Sequence, residues 1–73
     1  MPKLRTLSGA DVRAILQANG FVFVSQNGSH MKMQYVTEDG TTTVIVPNHK
    51  ELAIGTLGSI IRQSGLDRSL FEV

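Results

Sequence analysis

Cysteine is absent from the 73 residues of this sequence, and the net charge is small at +1. Without cysteine the chain can form neither a disulfide framework nor a thiolate zinc site, which is compatible with a reducing cytosol. The small net charge does not by itself predict nucleic-acid binding, so binding must depend on local patches. No apolar run approaches the length of a membrane-spanning helix, and Met1-Pro2-Lys3 is not expected to open a signal peptide.

The composition is that of an ordinary globular protein, with 41% hydrophobic and 18% charged residues. A chain of this length supports one domain, which we expect to span residues 1–73. Such a domain buries about 60% of its unfolded surface, so its core should be small.

Two helices are predicted, one on each side of a β-rich region. Ser8, with Asp11 three positions later, is typical of a capped helix start and predicts a helix over residues 9–19. A second helix is predicted to begin near Gly55-Thr56 and to end at Gly65. Both have apolar residues at helical spacing, namely Val12, Ile15 and Leu16 in the first and Leu57, Ile60 and Ile61 in the second.

Three strands are predicted between these helices. Residues 21–24 are β-formers throughout, residues 30–36 alternate between apolar and polar, and residues 41–46 form a third strand that ends before a proline. Asn27-Gly28 and Asp39-Gly40 are strong hairpin signals between them. The order of elements is therefore α-β-β-β-α.

The register of each hairpin follows from the loop that is assumed. A two-residue Asp39-Gly40 loop pairs Tyr35 with Val44 and Met33 with Val46, which makes an apolar face.

The first hairpin leaves two registers open. A two-residue Asn27-Gly28 loop would pair Phe23 with Lys32, whereas a three-residue loop that includes Ser29 pairs Phe23 with Met33. Because burial of a phenylalanine stabilises by about 1.5–3 kcal/mol, we favour the three-residue loop with a bulge.

The simplest packing of these elements is an α+β fold with a three-stranded antiparallel sheet and both helices on one face. This is the architecture of a double-stranded RNA-binding domain, which is an analogy of fold and not of function. The other face of the sheet is left open, and on the middle strand it carries His30, Lys32 and Gln34 in either register.

Few residues of this sequence can carry chemistry. Two histidines and no cysteine do not make an ordinary zinc site, and His30 and His49 lack the spacing of a helical metal motif, so no metal site is expected. His30 alone can act in general acid–base catalysis, because imidazole can give and take a proton near neutral pH. Lys32 on the same face could stabilise negative charge, and backbone N–H groups of Gly28-Ser29 could hold a phosphate.

Each of these residues also has a simpler interpretation. A lone histidine on an exposed strand is usually an ordinary surface residue, and a glycine in a turn usually serves the backbone. Lys32 is typical of a solvated sheet face, where lysine also protects against aggregation. His49 is most simply a loop residue.

The segments taken together resemble a known family. Gly28-Ser29-His30 is followed by Pro47-Asn48-His49 and then by Gly55-Thr56-Leu57, and this combination resembles the HicA toxins, also called YcfA-like, over residues 5–66. The resemblance implies a double-stranded RNA-binding-domain-like fold and ribosome-independent cleavage of mRNA without a metal or other cofactor. It also implies that His30 is the catalytic residue.

The resemblance further implies a partner and a location. The partner would be a HicB-type antitoxin that covers the active face, in a cytoplasmic toxin–antitoxin system of the stress response. No membrane contact is implied, and contact with DNA would be indirect, through the antitoxin.

Two other classes of function remain open. The first is a non-catalytic RNA-binding module, although the start of the second helix lacks the lysine cluster with which such domains bind duplex RNA across its grooves. The second is a protein-interaction module that docks through apolar residues expected on the open sheet face, namely Val22, Val24, Val36 and Ile45.

Overall fold

The element order in the computed structural model is the predicted α-β-β-β-α. The structure describes Leu4 and residues 6–72, so the expectation for Met1-Pro2-Lys3 lies outside the described residues. The elements are α1 (Gly9–Ala18), β1 (Val22–Asn27), β2 (His30–Thr37), β3 (Gly40–Pro47), α2 (Ile54–Ser64) and a short 3₁₀ helix (Arg68–Phe71). In the described part of the chain, no helix is both long and apolar enough to cross a membrane.

The start of α1 is closed by the predicted capping box. The Ser8 hydroxyl accepts a hydrogen bond from the Asp11 backbone N–H at 3.0 Å, and the Ser8 N–H donates to the Asp11 carboxylate at 3.0 Å. Two of the N–H groups that a helix leaves without partners are thereby satisfied. Helix α2 has no side-chain cap at its start and ends at Gly65, as predicted.

The three strands form one antiparallel sheet in the order β1-β2-β3, and the two sides of that sheet differ in burial. The inner face packs against both helices. We call the opposite side the outer face, and on β2 it carries His30, Lys32, Gln34 and Val36. The core contains the inner-face residues and the apolar stripes of the helices: Leu7, Val12, Leu16, Phe21, Met31, Met33, Val44, Val46, Leu52, Leu57, Ile60, Ile61 and Phe71.

The hairpin between β1 and β2 confirms the predicted pairing of Phe23 with Met33 but corrects the loop. Asn27 pairs with His30, so the loop has two residues, Gly28 and Ser29, instead of three. The extra residue is instead Val24, where a β-bulge shifts the register. A bulge within the strand thus absorbs the mismatch that we assigned to the turn.

The predicted register of β2 against β3 is wrong by two residues. Met33 pairs with Val44 instead of Val46, and Tyr35 pairs with Thr42 instead of Val44. The reason is that Glu38 and Asp39 form the loop while Gly40 begins β3.

The backbone of Gly40 explains this choice of loop. Its φ is 143°, in the region that favours glycine, and no non-glycine residue in the described part of the chain has a positive φ. The Thr37 hydroxyl donates to the Gly40 carbonyl at 3.1 Å and closes the hairpin.

Candidate catalytic face

His30 lies at one end of the outer face, as its first residue on β2. Its cross-strand neighbours are Asn27 on β1 and Pro47 on β3. The side chain is exposed, and among the described residues it forms no hydrogen bond or ion pair. The imidazole is therefore accessible to a ligand that lies across this end of the sheet.

The turn that leads into β2 is shaped by Gly28. Its φ is 60° at the first loop position, which fits a type II′ hairpin turn. A Cβ at Gly28 would meet no atom within 4 Å, so this glycine serves the backbone conformation and not the packing. The Gln26 side-chain amide donates to the Gly28 carbonyl at 2.9 Å, which braces the turn from β1.

Lys32 shares the outer face with His30, as predicted. Two residues of strand separate them by about 7 Å, and the cross-strand neighbours of Lys32 are Ser25 and Ile45. An ammonium group at this distance from an imidazole can contact the same phosphate group or its neighbour along a nucleic-acid strand.

The segment that contains His49 reaches the same end of the sheet, which the sequence alone did not predict. The Asn48 backbone N–H donates to the Ser29 carbonyl at 2.5 Å and so continues the ladder between β2 and β3 past the end of the strands. The carbonyl of His49 accepts a hydrogen bond from the Gly9 N–H at 2.8 Å. His49 itself is exposed, one residue beyond the contact with the turn.

Sequence reasoning missed Gly9 and the backbone of Asn48. A glycine directly after a good N-cap is a weak signal, because glycine lowers helix stability and a close contact is one reason to tolerate it. The contact of Asn48 with Ser29 depends on the exact register of β2 and β3, which the sequence did not determine.

The outer face is free of acidic side chains within the described residues, and Lys32 is its cation. The Arg68–Glu72 ion pair lies in the tail, outside the sheet. No pocket forms in the described part of the molecule. Nor do three or more histidine, aspartate or glutamate side chains gather there. The candidate site is thus an open surface that carries positive charge and hydrogen-bonding groups.

An apolar patch extends along the outer face from the neighbourhood of Lys32 towards the end opposite His30. We define it by four residues of the sheet that are 43–68% exposed: Val22, Val24, Val36 and Ile45. The exposure predicted for these residues is confirmed. Exposed apolar side chains that share one face are typical of protein interfaces.

Comparison with models of protein families matches residues 9–66 to the family described as HicA toxin of bacterial toxin-antitoxin. The matched range contains all three strands and both α-helices, and with them Gly28, Ser29, His30, Lys32 and His49. Comparison with curated proteins gives no match.

Proposed function

The chain belongs to the HicA family of toxins from bacterial toxin–antitoxin systems, and on that premise we propose that it is an endoribonuclease that cleaves mRNA. In this proposal His30 is the general acid or base, Lys32 stabilises the charge that develops on the phosphate, and Gly28 and Ser29 hold the turn. An mRNA substrate requires that the protein act in the cytoplasm.

The reaction needs little from the protein because the substrate supplies the nucleophile. A base removes the proton of a ribose 2′-hydroxyl, and that oxygen attacks the adjacent phosphorus. The bond from phosphorus to the 5′-oxygen breaks, and an acid protonates the leaving oxygen. The products are a 2′,3′-cyclic phosphate and a 5′-hydroxyl, so the step consumes no water, and the two protons are transferred by an acid and a base of the protein.

His30 fills one of the two proton-transfer roles in this scheme, and His49 is our candidate for the other. The exposed imidazole of His30 supports the first assignment, because it has no competing partner among the described residues. The backbone contact of Asn48 with Ser29 supports the second, because it holds the residue before His49 beside the residue before His30. Lys32 supports charge stabilisation from the same face.

The observation that carries the proposal is that His30 and Lys32 share an open, acid-free face with a turn of backbone N–H groups at its end. An extended polyanion can lie along such a face without entering a pocket. A single RNA strand has this shape, because its phosphates are accessible and its backbone can follow a flat surface.

The direct test is His30→Ala, assayed for cleavage of RNA by the purified protein. We expect the rate to fall by about 10²–10⁴-fold, the usual contribution of general acid–base catalysis, with thermal unfolding unchanged because the side chain is exposed. Thr41→Ala is the matched control, since Thr41 is exposed on the same face at the opposite end of the sheet. Cleavage by His30→Ala at the wild-type rate would show that His30 is not catalytic.

A modified substrate tests the mechanism separately from the residue. RNA with a single 2′-deoxy nucleotide at the cleavage position should resist the enzyme, and the intact RNA should yield a 2′,3′-cyclic phosphate end. If the 2′-deoxy substrate is cut at the same position, the proposed nucleophile is wrong. A non-catalytic RNA-binding module would bind both substrates and cut neither.

A toxin of this family implies an antitoxin partner, and we propose a HicB-type protein that binds over the outer face. The part of the apolar patch nearest to His30 supports this site. Ile45 is the cross-strand neighbour of Lys32, two residues from His30, so a protein that buries Ile45 would also reach the imidazole. Ile45→Asp should weaken the complex in a pull-down with the antitoxin, whereas His30→Ala should retain it. Equal binding by wild type and Ile45→Asp would exclude this contact, and DNA binding should require the antitoxin.

A further inference from the structure

Gly9 is the buried first residue of α1, and it lies against the segment that follows β3. A Cβ at this position would overlap the Pro47 carbonyl oxygen and would lie 2.9 Å from the Cα of Asn48. Both neighbours are backbone atoms, so the contact cannot be relieved by rotation of a side chain. The absence of a side chain at Gly9 is therefore what allows the two segments to touch.

The contact at Gly9 is one part of a backbone clasp, which we define as three hydrogen bonds. The Gly9 N–H donates to the His49 carbonyl at 2.8 Å, and the Leu52 N–H donates to the Leu7 carbonyl at 2.8 Å. The third bond joins Asn48 N–H to the Ser29 carbonyl on the opposite side of the segment. Residues 48–52 are thus held between the start of α1 and the turn that carries His30.

We propose that Gly9 is a positioning residue for the catalytic face, acting through the clasp to fix His49 and the turn before His30 relative to each other. This inference rests on the proposed ribonuclease function. Gly9 touches neither substrate nor reacting atoms, and its contribution is the close approach that a side chain would prevent.

Loss of the clasp should affect the chemical step more than substrate binding. Lys32 and the rest of the outer face lie on the sheet, and their ladder hydrogen bonds do not involve α1. The relative position of two proton-transfer groups, by contrast, changes if residues 48–49 move, and a displacement of about 1 Å can cost about 10²-fold in rate.

The test compares Gly9→Ala with Gly55→Ala in RNA cleavage. Both substitutions add one methyl group to the first turn of a helix, but a Cβ at Gly55 meets no atom within 4 Å. We expect Gly9→Ala to lower kcat by about tenfold or more with KM changed by less than about threefold. Gly55→Ala should keep both constants. A Gly9→Ala enzyme with wild-type kcat would overturn the proposal, as would a rise in KM alone.

A second measurement separates this inference from the proposed function. The imidazole ¹H–¹⁵N signals of His30 and His49 should both shift in Gly9→Ala and remain unchanged in Gly55→Ala. This readout does not require that the protein cleave RNA, so an inactive wild type would reject the proposed function while still testing the clasp. Unchanged imidazole signals in a folded Gly9→Ala protein would overturn the clasp as a positioning device.

A further variant keeps the proposal testable if Gly9→Ala does not fold. Asn48→Pro removes the N–H that reaches Ser29 and leaves Gly9 untouched. It should again lower kcat with little change in KM, and it should shift the His30 signal. Wild-type kcat in a folded Asn48→Pro protein would contradict the role of the clasp.

Discussion

The two faces of the sheet are made by alternate residues of the same strands, and they serve different purposes. On β2, Met31 and Met33 are buried against the helices, whereas His30 and Lys32, which alternate with them, are exposed. Stability is thus concentrated on one side and candidate chemistry on the other. Because successive residues of a strand point to opposite faces, substitutions one position apart should differ in effect. A substitution on the inner face should lower stability, and one on the outer face should lower activity.

The largest effect on stability is expected from Met33→Ala on the inner face. Met33 is 0% exposed, and truncation of a buried methionine typically costs about 2–5 kcal/mol. Urea denaturation followed by circular dichroism would measure the loss. A change below about 1 kcal/mol would contradict the burial of this side chain.

A smaller effect is expected from Ile45→Ala on the outer face. Ile45 is 43% exposed, so truncation removes only part of its contacts, and a loss of about 1 kcal/mol is expected. The same denaturation experiment gives the comparison with Met33. A loss as large as that of Met33→Ala would show that the outer face contributes equally to stability.

Lys32→Ala should leave the free energy of unfolding within about 0.5 kcal/mol of wild type, since its side chain is exposed. Its expected effect is on function. RNA cleavage should fall, and RNA binding should become less sensitive to salt because one phosphate contact is lost. Binding measured over a series of salt concentrations tests this, with Thr41→Ala as control. An unchanged salt dependence would remove Lys32 from the interface.

The smallest effect is expected from an exposed carboxylate outside the sheet. The Ser69 backbone N–H donates to Asp67 at 2.9 Å, and this hydrogen bond lowers the pKa of the Asp67 carboxyl. The resulting stabilisation is present above the pKa of the unfolded chain and is lost as pH falls through the lower folded value. Asp67→Asn should therefore reduce the slope of stability against pH in the acid range, measured by urea denaturation. An identical slope would contradict this linkage.

The sequence predicted the elements and their faces better than the register, and the error on β3 explains why. A slip of two residues leaves every side chain of a strand on the same face, so the apolar pattern cannot distinguish the pairing of Met33 with Val44 from that with Val46. The conformation of Gly40 decided between them. In β1, apolar residues on both faces left the bulge at Val24 equally undetermined.

The sequence predicted those parts of the candidate site that are formed by residues close together in the chain. His30 and Lys32 were assigned to one face by alternation alone, and the structure has them there. The approach of His49 could not be predicted, because it depends on two contacts that are distant in sequence, Asn48 to Ser29 and Gly9 to His49. The contact of Asn48 with Ser29 depends on the pairing of β2 with β3, which the apolar pattern of the strands does not determine.

The bulge at Val24 separates the two ends of β1. On the turn side, the two-residue loop sets Asn27 opposite His30 and Ser25 opposite Lys32, and on the other side Phe23 lies opposite Met33. Because Val24 is the extra residue, its deletion would remove the bulge and keep all of these pairs. The strand can therefore lose one residue at this point without a change in the core or in the neighbours of His30.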